Sequence, residues 1–402
     1  MANISSYTIN DIALYYHALI CVKEPLDSAV AQERIRVHLI DYIEQRRAAL
    51  SLPPLRTQIP TLGEKALNEL RQMNFVTVED GKVRLLPAGA EIASQLTTGN
   101  GRNARRLILG RMIDTFDNVY GLIKKLSPAA GKDIVLPMPK GPNLSSDAMD
   151  ASDVDLRGEI TLDLAQVCKA WTDWCATNTR LDLLPDDFLS RARHLSVVSK
   201  DRKIGSRIKN VVQQLVLEQA TDGIVSKMPI YRTLRDRLSS AGAINSRIRA
   251  IDSSTIALEC VYSCLHIGPL TYPDSNAWIQ LDVPRSAEPI LVHEPEPQQI
   301  ADRLFSELRI AASTLVPRAG YYRIYELRDR ICEALRISQG VFDSAFLYIY
   351  RSKQGEISLG VDYETITAKR LPIEVREHGR SEFLNLLAFR QPIQEVRDAD
   401  HS

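Results

Sequence analysis

Apolar side chains in the first 126 residues recur every three to four positions, the period of a helix with one buried face. Asn10 stands as N-cap before DIALYYHALICV, which predicts a first helix. A second is predicted over 29–50, with Val30, Ile35, Leu39 and Ile43 on one face. Thr61 heads LGEKALNELRQMN, and Glu64 three residues on completes a capping-box pattern, so a third helix is expected there. The period then drops to two. FVTV and KVRL flank Glu79-Asp80-Gly81, and Asp-Gly readily takes the positive φ of a tight hairpin turn. LLPAGAEIASQL returns to helical spacing.

The same order appears twice more. In the middle of the chain, helices are predicted over 207–220 and 229–241, followed by strands SRIRAID and STIALECVYS across Asp252-Ser253. Further on, 322–335 reads as a helix with Ile324, Leu327, Ile331 and Leu335 on one stripe. Ser338 then caps QGVFDSAFLYIYR, and the strands EISLGV and ETITAK follow a Lys353-Gln354-Gly355 turn. Two stretches interrupt these patterns: 127–152 has four prolines and two glycines, and 268–297 has six prolines. Proline removes backbone donors and blocks helix propagation, so both are read as linkers. They divide the chain into a helical first domain (1–126), a middle domain (153–267) and a last domain (298–402). The expected fold class is mainly α with small β-hairpins (α+β), in tandem modules joined by Pro-rich linkers.

The order helix, helix, hairpin resembles that of winged-helix (helix-turn-helix) DNA-binding proteins, most clearly over 62–96. The resemblance implies that the second helix of each pair enters the major groove while the hairpin touches the backbone or minor groove. At 402 residues, two to four domains are expected. The 45% hydrophobic and 25% charged residues suit a soluble globular chain. No apolar run approaches the ~18–20 residues of a membrane span, so no membrane partner is expected. The start lacks a basic region followed by an apolar one, and six scattered cysteines suit a reducing compartment. A cytoplasmic, bacterial protein is expected.

Fifty Lys and Arg balance fifty Asp and Glu, yet the charge is unevenly spread. Between 191 and 249, thirteen basic residues face four acids, a net charge of +9. They are Arg191, Arg193, Lys200, Arg202, Lys203, Arg207, Lys209, Lys227, Arg232, Arg235, Arg237, Arg247 and Arg249. The stretch 147–163 carries −5, and 102–125, read as a helix, carries +4. Clustered Lys and Arg are the electrostatic footprint of a nucleic-acid surface. On the winged-helix resemblance, Tyr231, Arg232, Arg235 and Arg237 fall on a recognition helix and Arg247 and Arg249 on a wing. The plainer reading is a solvated basic face that pairs with the protein's own acids. Arg323, Arg328, Arg330, Arg336, Arg351 and Lys353 are interleaved with acids, so the last module reads as a docking or dimerisation domain.

Patterns of catalytic chemistry are not found. Gly131-Lys132-Asp133 lacks the first glycine and the Ser/Thr of a phosphate-binding loop, and no HExxH occurs. Cys260, Cys264 and His266 could offer three zinc ligands, but CVYSCLH alternates like a strand. Asp150, Asp153, Asp155 and Glu159 could gather a divalent cation, although they read as a hydrated acidic linker. His194 lies among basic residues, where a phosphate contact fits better than general-base work. No cofactor or metal is expected. The leading expectation is a non-catalytic binder of double-stranded DNA, a regulator or part of a DNA-processing or defence complex. The alternatives are an adaptor that binds protein or itself, similar to SMC-type accessory subunits, and a metal-dependent nuclease.

Overall fold

The computed structural model describes residues 2–4, 8–50, 54, 59–97, 101–127, 133–139, 164–198, 204–250, 256–270, 277–353, 355–362, 372–377 and 380–390. They form an α+β architecture of helices and small antiparallel sheets in two compact units. The first comprises Met1–Tyr7, Phe116–Asp236 and Ser246–Ser263, and the second Thr8–Thr115, Arg237–Asn245 and Cys264–Ser402.

In the first unit, Ile134–Pro139 pairs antiparallel with Ile256–Ser263, from Ile134 opposite Val261 to Pro139 opposite Ile256. Strand Ile256–Ser263 lies between Ile134–Pro139 and Ile244–Ala250, and all eight of its residues are buried. A strand covered on both faces shows no alternation. Pro137 and Pro139 are tolerated because theirs is an edge strand, where a missing N–H breaks no ladder. A regular element therefore stands inside the stretch expected to be a linker. Helices Leu164–Thr177, Phe188–Val198 and Ile204–Ala220 supply the apolar partners, with Val167, Trp171, Val212, Leu215 and Val216 buried. Asn118 fixes the beginning of the chain: its Oδ1 accepts from the Ile4 N–H (3.1 Å) and its Nδ2 donates to the Ile4 carbonyl (2.9 Å).

The second unit opens with helices Ala13–Cys21, Ser28–Ala49 and Leu62–Gln72. Gly63 allows the last two to touch, because a methyl group there would overlap the Gln32 carbonyl. Strands Val76–Glu79 and Lys82–Leu85 form the expected hairpin, turning at Asp80 (φ 51°) and Gly81 (φ 75°). Leu26–Asp27 adds a third strand against Val83 and Lys82. Four local expectations need correction. Asp11 rather than Asn10 serves the first helix, its Oδ1 accepting from the Ala13 N–H at 2.9 Å. Thr61 makes no side-chain capping bond. Val30 is 53% exposed, because the buried stripe of helix Ser28–Ala49 is Ala31, Ile35 and Leu39. The helix expected over 102–125 is two, Gly101–Thr115 and Asp117–Leu126, since Phe116 is extended (φ −104°, ψ 122°) and bridges to Ala2.

Near the end of the chain, helices Pro297–Ser313, Ile324–Leu335 and Gln339–Ser352 pack around Leu304, Leu308, Leu327, Ile331, Phe342 and Phe346. Glu296 and Gln299 close a capping box with Pro297 in the first turn, a start signal that the surrounding prolines hide in the sequence. Tyr322–Arg323 is a short strand rather than the start of a helix. Its partner is Leu386–Phe389, which also pairs with Ile357–Gly360. The strand expected over ETITAK, residues 364–369, lies outside the described residues. Ile373–Glu377 and Arg380–Leu384 form a separate hairpin. A further sheet joins Leu265–Ile267 to Ile290–His293 and Trp278–Leu281, the latter two within the second Pro-rich stretch.

Candidate nucleic-acid interface

Nine of the thirteen basic residues of the strongest charge signal fall on four elements, helices Phe188–Val198, Ile204–Ala220 and Met228–Ser240 and strand Ile244–Ala250, and Lys227 is exposed just before the third of these. In the first unit, Arg191 is exposed and its Nη2 pairs with Glu218 Oε2 at 3.0 Å. A shallow groove of about 370 Å³ lies beside this pair, lined by Ser190, His194, Leu195, Gln214 and the acid Asp187 among others. Arg193 and His194 are exposed on the same helix. Arg232 is exposed and donates from Nη2 to Gln213 Oε1 at 3.3 Å. Exposed ion pairs are worth ~0.2–1 kcal/mol, so Arg191 can exchange Glu218 for a phosphate at little cost.

Other members of the cluster turn inward. Arg235 donates from Nε and Nη2 to Asp236 Oδ1 (2.9 and 2.7 Å) and pairs through Nη1 with Glu259. Burial alone would lower the pKa of this guanidinium, but Glu259 and Asp236 outweigh it and push it up. Tyr231 is buried, its phenol pushed far above the ordinary range by burial and then by Glu259, and its hydroxyl has no partner among the described residues. In the second unit, Arg237 is fully buried. Its Nη1 donates to Glu69 Oε2 (2.9 Å) and to Tyr15 Oη (2.8 Å), and its Nε to the Ile9 carbonyl. Tyr15 in turn donates to Glu69.

Arg247 is half-buried in strand Ile244–Ala250, which also carries Arg249. Arg207 and Lys209 belong to helix Ile204–Ala220, but their side chains, like that of Arg249, are outside the described residues, as are Lys200, Arg202 and Lys203 altogether. Of the six basic residues in the +4 cluster at 102–125, three pair with acids: Arg102 with Glu296 (2.9 Å), Arg106 with Glu294 (2.7 Å), and Lys125 with Asp222.

The residues missed from sequence are the internal counter-ions, Glu69 and Glu259. Both carry a readable signal. Glu69 sits on the apolar stripe Leu62, Ala66, Leu70 of its helix, and Glu259 interrupts the apolar run IALECVYS. An acid within an apolar stripe announces a buried cation partner.

Among the described residues, no three His, Cys, Asp or Glu side chains gather in a way that could hold a metal ion. Asp150, Asp153, Asp155 and Glu159 lie outside them. The Cys264 thiol is buried and pushed up to about 12 by that burial, with Arg336 opposing. No helix among the described residues is long and apolar enough to cross a membrane. No protein-family model matches this chain, and neither does any curated protein or solved structure.

Proposed function

We propose that the chain is a non-catalytic duplex-DNA-binding protein whose winged-helix-like modules hold the phosphate backbone. One observation carries the reading: a recurring arrangement of strands around a pair of helices. In the sheets built from 26–85, 134–263 and 322–389, the last strand in the chain lies between the other two. In all three, two helices directly precede the second strand and stand between it and the first. The sheet at 265–293 shares the strand order but has no α-helix between its strands among the described residues.

With Arg235 and Arg237 engaged by the protein's own acids, contact falls to the outward cations of the middle segment. Arg191, Arg193, Lys227 and Arg232 are exposed, joined in this reading by Lys200, Arg202, Lys203, Arg207, Lys209, Arg247 and Arg249. Contacts of this kind read phosphate rather than base edges. Binding is then tolerant of sequence and steeply dependent on salt, because each neutralised phosphate releases counterions.

The test is the affinity of the full chain for a random-sequence duplex at about 50 and 200 mM salt. With six phosphate contacts, the affinity falls on the order of a thousandfold between the two. Replacing Arg191, Arg193 and Arg232 together by alanine lowers affinity for all sequences alike and flattens the salt slope by about three units. Undetectable binding at the lower salt, or an affinity that ignores salt, overturns the reading.

A further inference from the structure

Helix Ser28–Ala49 turns Ala31, Ile35 and Leu39 into the core. Its outer side leaves Val30 and Val37 53% and 45% exposed. The two valines are two turns apart on one stripe. With Ile20 and Cys21 of helix Ala13–Cys21 they wall a groove of about 760 Å³. Covering such a stripe removes apolar surface from water, which favours association.

The charges beside the stripe indicate what covers it. Arg34 and Asp41 line the same groove, are both exposed, and form no ion pair among the described residues. They too are seven residues apart, so they share one flank of the helix. A two-fold axis crossing the helix at right angles between Val37 and His38 keeps each flank on its own side. It sets Arg34 of one copy opposite Asp41 of the other, twice, and brings the two Val37 side chains together at the axis. Contact between identical copies requires such self-complementarity. We infer that this face of helix Ser28–Ala49 docks a second copy of the chain, the two helices antiparallel around Val37. The pairing does not rest on DNA binding and is measured without nucleic acid.

Sedimentation of the full chain over a concentration series tests it. The unaltered chain associates to a dimer. Arg34→Asp sets acid against acid and Asp41→Arg sets base against base, so each alone raises the dissociation constant by about tenfold or more. Mixing the two variants restores a dimer, because both acids of one copy then face the two bases of the other across the axis. Val37→Glu disrupts the pairing whichever partner it meets. A chain that stays monomeric throughout, a dimer indifferent to the single changes, or variants that mixing does not rescue would each overturn the inference.

Discussion

Residues 13–85 and 297–389 arrange their elements alike and hold them together differently. Each runs helix, short strand, two helices, strand, and a closing strand that takes the central place in its sheet, with the separate hairpin of Ile373–Glu377 and Arg380–Leu384 placed before the closing strand in the later region. In the earlier region, the buried acid Glu69 is neutralised by Arg237, 168 positions away in the chain. In the later one, the buried cation Arg328 is neutralised by Asp343 (3.2 Å), only 15 positions away on the next helix. The cation of the later region is thus answered within its own helix pair. The earlier region depends on a distant segment that folds back to complete it. Element order therefore says little about what a module needs in order to stand.

The largest expected effect breaks the distant pair. Arg237→Met leaves the Glu69 carboxylate buried without its cation, a loss on the order of 3–5 kcal/mol. Removing both charges in Glu69→Leu with Arg237→Met recovers most of that loss, since neither ion is then desolvated. Arg328→Met in the later region costs less, because Asp343 is 33% exposed and can turn to water. Urea unfolding of the three variants checks the order. Equal losses for Arg237→Met and Arg328→Met would erase the contrast between the regions.

The second effect compares two glycines at the same place, the second residue of the third helix. At Gly63 an added methyl meets the Gln32 carbonyl, so Gly63→Ala forces two helices apart and costs about 1–3 kcal/mol or more. At Gly340 the nearest neighbour of such a methyl is Arg105 Nη1 at 3.5 Å, an ordinary contact. Thermal unfolding of the two variants should separate them plainly.

What the amino-acid pattern reveals follows the range of the interaction. Helix Ser28–Ala49 and the hairpin at Asp80-Gly81 are legible because apolar period and turn chemistry act over a few residues. Leu386–Phe389 is not, because its identity as a strand rests on pairing with Ile357 and Tyr322 across long intervals. The candidate interface divides in the same way. A run of arginines can be read as composition, but whether Arg232 faces water while Arg237 faces Glu69 depends on elements far along the chain. Helical spacing sets Arg237 nearer than Arg232 to the buried Leu234 and Leu238, but the acid that receives Arg237 lies 168 positions away, beyond any local rule.

The smallest effects lie at the entrances of those third helices. Ser338 Oγ accepts from the Val341 N–H at 3.3 Å, whereas Thr61 makes no such bond. Ser338→Ala should therefore cost about 1 kcal/mol and Thr61→Ala close to nothing, despite the stronger capping-box sequence at Thr61. Gly340→Ala goes the other way. Its backbone is helical and a methyl has room, so the substitution lowers the entropy of the unfolded chain and adds about 0.5 kcal/mol of stability. Denaturation midpoints for the three single variants measure these differences. A gain at Gly340 beside a loss at Gly63 would show that one position in two like arrangements is set by the neighbouring helix and not by the helix that contains it.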